Sequence, residues 1–224
     1  MTTTPNLTLP LLTPGQTNAE ATFNTGQREA DALINLKVES DALSAPPGGE
    51  SDGEAWILSA SGTGAWAGFA TGSIALYLNS AWTNKTPQGG QTAFVVNKKA
   101  MYCYSSVESL WYPVQPRWDT SEYWTGRYGS NGTKLYRKCF DLGALPNNTT
   151  ATTAHSITSL DISEHVETEL SFQDGSKLYG GEAAFVTGGA ILEIWLDTTN
   201  INVKDNANLS TYSAKLAVTY ERDG

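Results

Sequence analysis

Beyond Ala45 the chain is cut into short apolar runs by clusters of Gly, Asn, Pro and Ser. This punctuation restricts what it can fold into. Gly and Asn reach turn conformations that other residues resist, and Pro ends a strand or helix. The candidate strands between the clusters are Ala55–Ser59, Ser73–Leu78, Thr92–Val96, Met101–Tyr104 and Leu110–Val114. Regular short runs with turn signals predict a small antiparallel sheet or barrel-like module. Composition agrees. Only 17% of residues are charged, and Thr, Asn, Ser and 21 Gly stand where a long-helix protein would carry Lys and Glu. Trp56, Trp66, Trp82 and Trp111 all fall in this stretch, a density that predicts an aromatic core.

The first 45 residues read differently. Residues 1–16 form an extended arm, because Pro5, Pro10 and Pro14 forbid a helix. Leu7, Leu9, Leu11 and Leu12 give that arm apolar surface it cannot bury alone, so it is expected to dock on a neighbour. A helix follows, with Thr17 as N-cap and Glu20 closing a capping box. Phe23, Ala30, Leu33, Ile34, Leu36, Val38 and Leu43 recur at roughly helical spacing. The stripe Ala19, Phe23, Gly26, Ala30 and Leu33 steps by four and three like a coiled-coil seam, until Lys37 and Ser40 interrupt it. A helix packed on its own domain and three copies packed about an axis both fit this pattern. Ala45–Gly53 is a turn-dense break.

From Thr133 a second β module begins. Its candidate strands are Lys134–Phe140, Ser156–Ile162, Glu167–Phe172, Ala190–Leu196, Ile201–Lys204 and Lys215–Glu221. The run ILEIWL suits a central strand, and Leu216, Val218 and Tyr220 share one face of the last strand. Strands without intervening helices predict a β-sandwich. The segment from Trp118 to Tyr128 is read as a link. The chain is therefore expected to be mainly β, with three parts. Residues 1–45 are the N-terminal arm and short helix, 46–117 a small antiparallel β module, and 118–224 a C-terminal β-sandwich.

Charge and chemistry narrow the function. A net charge of −9 repels phosphate backbones and anionic headgroups, so neither nucleic acid nor a bare membrane is an expected partner. No apolar run approaches the roughly 20 residues of a membrane span, and MTTTPNLTLPLLTPGQ lacks the basic start of a signal peptide. Cys103 and Cys139 read as buried free thiols, with a single bridge between them left open. His155 and His165 lie near no nucleophile elbow, and His155 is read as a hydrogen-bonding residue at a strand start. Asp161, Glu164, Glu167 and Glu169 alternate with apolar residues, as on a solvated sheet face. Asp197 and Asp205 could ligate a cation but are also ordinary turn residues. No cofactor, metal site or catalytic set is expected, and the chain is not read as an enzyme. Binding suits the composition better. Tyr123, Trp124, Tyr128, Tyr179 and Tyr212 fall in loop-like contexts and are the candidate ligand-binding aromatics.

Two resemblances add context. The phrase Tyr136-Arg-Lys, then Gly143-Ala-Leu-Pro-Asn147, then His155-Ser-Ile157, with the closing strand KLAVTYE, resembles a C-terminal module of bacteriophage tail and fibre proteins. Thr4–Pro10, Asn24 through Leu33, Pro46-Pro47, Gly62-Thr-Gly-Ala-Trp-Ala-Gly68, Ala75, Trp82 and Thr86-Pro87 resemble an uncharacterised domain family of phage and prophage tail proteins and gene transfer agents. Phe69-Ala70-Thr71 departs from the more polar loop expected there. These resemblances imply a virion structural protein, made in the host bacterial cytoplasm and carried on the phage tail. A short tail fibre or receptor-binding protein is the leading reading. Leu9, Leu11, Phe23, Ala30 and Leu33 would then attach it to other tail or baseplate proteins and to sister chains in a homotrimer. C-terminal loops would adhere to a bacterial surface glycan. The alternatives are a purely structural baseplate, collar or head-fibre component, and a surface-polysaccharide hydrolase.

Overall fold

The structure, a computed structural model, describes residues 3–6, 9–12, 19–129, 132–157, 166–174, 177–181, 186–187 and 190–221. It is mainly β, with one α-helix, and divides into two compact units, Met1–Gln115 and Pro116–Gly224.

In the first unit, helix α1 (Ala19–Ile34) leads into β1 (Lys37–Val38) and β2 (Ser40–Leu43). Then come β3 (Ala55–Leu58), β4 (Ile74–Leu78), β5 (Ala81–Lys85), β6 (Thr92–Val95), β7 (Ala100–Ser105) and β8 (Leu110–Pro113). They form two four-stranded sheets, ordered β2-β3-β4-β5 and β1-β6-β7-β8. Alternation along each strand sends Ala55, Ile57, Ile74 and Leu76 of one sheet, and Ala93, Val95 and Tyr102 of the other, into a shared core. Ala32, Leu36 and Val38 join that core, so residues 1–45 and the small β module make one unit rather than two.

The opposite face of the first sheet carries Trp56, Leu58 and Ala75 and is capped by the loop that holds Trp66. Trp66 is fully buried, with ring centroids 6.2 Å from Trp56 and 5.1 Å from Trp82. Gly62-Thr-Gly-Ala-Trp-Ala-Gly68 is thus the plug of a second small core. Phe69 packs against that core, which accounts for an apolar residue where a polar loop is expected.

The arm docks on its own chain. Thr4 Oγ1 donates to Asp31 Oδ1 at 2.8 Å, the Asn6 N–H donates to Asp31 Oδ2 at 2.9 Å, and Asn24 bonds both the N–H and the carbonyl of Leu12. Leu11 is buried. Thr17 and the side chain of Glu20, the expected capping box, lie outside the described residues.

The second unit contains β9 (Tyr123–Tyr128), β10 (Lys134–Ala144), β11 (Thr150–Ala154), β12 (Val166–Asp174) and β13 (Lys177–Gly181). It continues through β14 (Val186–Thr187), β15 (Ala190–Leu196), β16 (Asn200–Asp205) and β17 (Tyr212–Glu221). One sheet runs β13-β12-β17-β10-β9 and the other β11-β16-β15-β14. Leu170, Leu216, Val218 and Tyr220 from the first pack with Leu192, Ile201 and Val203 from the second, so the two sheets sandwich one core. The phrase beginning at Tyr136 and the phrase KLAVTYE lie side by side. Tyr136 pairs with Tyr220, Arg137 with Thr219 and Lys138 with Val218. Thr150–Ala154 is a strand absent from the expected set, because β16 supplies its hydrogen bonds. Ser156 and Ile157 stand outside any strand, and the rest of that expected strand, 158–162, lies outside the described residues.

Candidate functional site

The outward face of the larger sheet in the second unit gathers the chemistry. On β10, Tyr136 and Phe140 pack on the core, so Leu135, Arg137 and Cys139 point away from it. Ala217 and Thr219 on β17, and Glu167 and Glu169 on β12, face the same way. Strand register lines up Tyr123, Arg137, Thr219 and Glu167 in one row, with Cys139, Ala217 and Glu169 in the next.

Arg137 is the centre of this face. It is buried, and its guanidinium donates to Glu169 Oε2 at 2.6 Å and to Thr219 Oγ1 at 3.2 Å. Its Nε is buried and makes no hydrogen bond. The Trp118 ring lies over the guanidinium at 5.9 Å, a cation–π distance. Arg127 forks onto both oxygens of Glu167 at 3.1 and 3.2 Å, and those bonds hold its pKa above the ordinary arginine value.

Trp118 is 46% exposed, yet its backbone is pinned on both sides. The Tyr123 hydroxyl accepts from the Arg117 N–H at 2.6 Å and donates to the Arg117 carbonyl at 3.0 Å. The Cys139 N–H donates to the Asp119 carbonyl at 2.9 Å, and its thiol reaches the Arg117 carbonyl. Burial pushes the Tyr123 phenol and the Cys139 thiol up, so both stay protonated as donors at neutral pH. The result is a preorganised aromatic plane flanked by carboxylate and guanidinium groups. It can stack on an apolar ring face, with the Arg137–Glu169 pair held against the ring. Each carboxylate is already committed to a guanidinium, which suits recognition better than proton transfer.

The structure does not bring the five sequence-predicted aromatics together. Tyr123, Trp124 and Tyr128 lie on β9, so the segment read as a link belongs to the sandwich. Tyr123 faces outward beside Arg137. Trp124 is buried, against the expectation of an exposed residue, because its register places it beside Tyr136 and its indole N–H is taken by the Arg127 carbonyl at 3.2 Å. Tyr128, past a bulge permitted by Gly126 (φ 77°), meets Trp124 at 5.8 Å. Tyr212 is half-buried against the core. Tyr179 lies on β13 opposite Phe172, and its side chain is outside the described residues.

The other singled-out residues are placed as follows. Leu11 is buried, Leu9 is half-buried, and Leu33 packs on the core of the first unit. Ala30 is half-buried and Phe23 exposed, so the expected seam is partly used inside the chain. His155 is structural. Its Nδ1 accepts the Ile157 N–H at 3.0 Å, which makes Nε2 the donor to the Asp197 carbonyl at 3.1 Å. Asp197 caps its own turn, and Asp205 is buried at the other end of β16, so the two do not converge on one cation. Asp161, Glu164 and His165 lie outside the described residues. Cys103 and Cys139 are both free thiols.

Trp118, Arg127 and Arg137 were missed as site residues. Trp118 had a weak signal, since Arg117 and Asp119 flank it with charge. The Arg137–Glu169 pair had none, since 32 positions separate the partners.

Residues 24–111 match a family described as "Protein of unknown function (DUF2793)". A comparison with curated proteins finds no match. Among the described residues, no helix is long and apolar enough to cross a membrane.

Proposed function

We propose that this chain is a structural protein of a bacteriophage tail, of the short-fibre or receptor-binding kind, that adheres to bacterial surface glycan without turnover. Three things support the reading. The opening and closing phrases of the segment that resembles one phage tail module lie on paired strands of one sheet. The first unit carries the match to an uncharacterised family over residues 24–111, where the resemblance to tail proteins was drawn. The observation that carries the binding role is Trp118, held in place by Tyr123 and Arg137 yet half exposed. A ring ordered before ligand arrives loses little entropy on binding, and several weak sites on one particle multiply through avidity.

In this reading the first unit attaches the chain to the particle, and the second presents Trp118 with the part-exposed side chains of Arg127, Glu167 and Glu169. That moves the adhesive surface from the outer loops to the segment around Trp118, laid against the sheet. The test is a glycan array and host-cell adsorption with the intact chain and a Trp118→Ala variant. Binding by the intact chain, weakened at least ~10-fold in the variant, is expected, since truncating an aromatic anchor of a binding surface costs about 2 kcal/mol or more. No binding by the intact chain in either assay defeats the reading. A purely structural role in a baseplate, collar or head fibre is favoured by a different observation, the exposed apolar side chains of Phe94, Met101, Leu110 and Val114 on the first unit.

A further inference from the structure

The smaller sheet of the sandwich, β11-β16-β15-β14, has an outward face that the Trp118 site does not use. Ile201 and Val203 on β16, and Leu192, Ile194 and Leu196 on β15, pack on the core. Asn202, Lys204, Glu193 and Trp195 therefore point away from it. Register sets Thr152, Asn202 and Trp195 in one row across three strands, and Thr150, Lys204 and Glu193 in the next. Trp195 is 43% exposed, and no other large apolar side chain among the described residues stands exposed on this face.

The polar groups around Trp195 are ordered by one another. Thr152 Oγ1 donates to Asn202 Oδ1 at 3.1 Å, and Asn202 Nδ2 donates to Asp197 Oδ2 at 2.9 Å. Asn202 is buried and forms the fixed middle of this ladder. The exposed Thr152 hydroxyl and the part-exposed Asp197 carboxylate are its ends. Lys204 Nζ lies 3.4 Å from Glu193 Oε2, with both side chains more than half exposed. Neighbouring strands stand close together, so the row carries a ligand from the indole to the Thr152 hydroxyl over about 10 Å.

The chemistry of the face selects its occupant. A stable protein partner buries roughly 1,200–2,000 Å² around an apolar centre, and a single indole among polar groups does not supply one. A sugar chain matches it better, with an apolar C–H face for the indole and hydroxyls for the ends of the ladder. Among the described residues, the charges here are Lys204, Glu193 and Asp197, one cation against two carboxylates. Together with the net charge of −9, they disfavour an anionic sugar.

We propose that this face binds a neutral oligosaccharide, with Trp195 stacked on one sugar ring. The inference rests on the adhesion reading for its class of ligand, and adds a second site on the other sheet of the sandwich.

The test titrates the full chain, by calorimetry, with neutral hexose tetrasaccharides and with their uronic-acid counterparts. Neutral-sugar binding is expected, and Trp195→Ala should weaken it at least ~10-fold, with or without Trp118→Ala. Thr152→Val, at an exposed position, is the independent second variant and should weaken it about 3-fold. Trp195→Tyr, which keeps a ring, should restore most of the loss. The uronic-acid counterparts should bind more weakly than the neutral sugars. Binding that Trp118→Ala abolishes, and that Trp195→Ala and Thr152→Val leave unchanged, overturns the proposal and leaves the adhesion reading standing. No binding of any neutral tetrasaccharide by the intact chain also overturns it, whatever the array and host-cell adsorption give for Trp118. A Trp195-dependent preference for the uronic-acid forms overturns it as well.

Discussion

Gly62 shows how one residue can govern a whole loop. A Cβ there would stand inside the contact distance of the Trp66 carbonyl oxygen, a backbone atom that cannot swing aside. Gly62→Ala is expected to destabilise the first unit by about 2–3 kcal/mol, seen as a lower urea midpoint with unchanged slope. The Trp66 indole N–H is buried without a partner, so its ring matters through packing alone. Trp66→Phe should therefore cost about 1 kcal/mol and Trp66→Ala about 3–5 kcal/mol in the same assay. Equal losses from the two would mean the aromatic plug is not what the loop contributes. The motif was plain in the sequence as Gly spacing around a Trp. Its role was not, because Trp56 and Trp82, which it meets, lie on other strands.

Helix α1 is held on two sides. Leu33 and Ala32 face the core, and Asn24 and Asp31, seven residues apart, hold the arm. Phe23, 45% exposed, and Ile34, 72% exposed, lie on what remains. Asp31→Ala leaves the Thr4 hydroxyl and the Asn6 N–H without their acceptor. It should cost about 1–3 kcal/mol, confined to the arm. Hydrogen exchange at Asn6 should speed up while β4 keeps its protection, and equal loosening of both would contradict this.

The turn after β15 makes a prediction in pH. The Asn202 side-chain N–H, then the backbone N–H groups of Thr199 and Asn200, hold the Asp197 carboxyl well below the usual carboxylate range. A depressed folded-state pKa stabilises above the unfolded value of about 3.9 and loses that contribution as pH falls toward the folded value. Asp197→Asn should lower the melting temperature of the second unit slightly at pH 7. Below about pH 3 the gap should narrow. A gap that is constant with pH would show that the charge is not involved.

Each unit of the molecule has its own core, one around Ile74 and Val95, the other around Leu216 and Ile201. Met1–Gln115 and Pro116–Gly224 are therefore expected to fold as separate fragments, each with a cooperative thermal transition by circular dichroism. A fragment that stays unfolded would show that its core is incomplete. The cut falls at 115/116 because Trp118 and Tyr123 build the sandwich face, so a linker cannot begin at 118.

By itself, the sequence determined the strand-rich class, the helix, the aromatic core of the first unit and the strands at Ala190 and Lys215, but not the central place of the latter in its sheet. Period-two apolar alternation and turn residues are local signals, and they survive folding. It also showed that Glu167 and Glu169 reach solvent, though the face they share with Arg137 and Thr219 is largely buried. Tertiary structure decided that the arm is claimed by its own helix, that Trp124 is buried while Trp118 is presented, and that Arg137 meets Glu169. Those outcomes depend on register between strands far apart in the chain. A one-residue shift in register moves a side chain to the opposite face, and no local pattern records it.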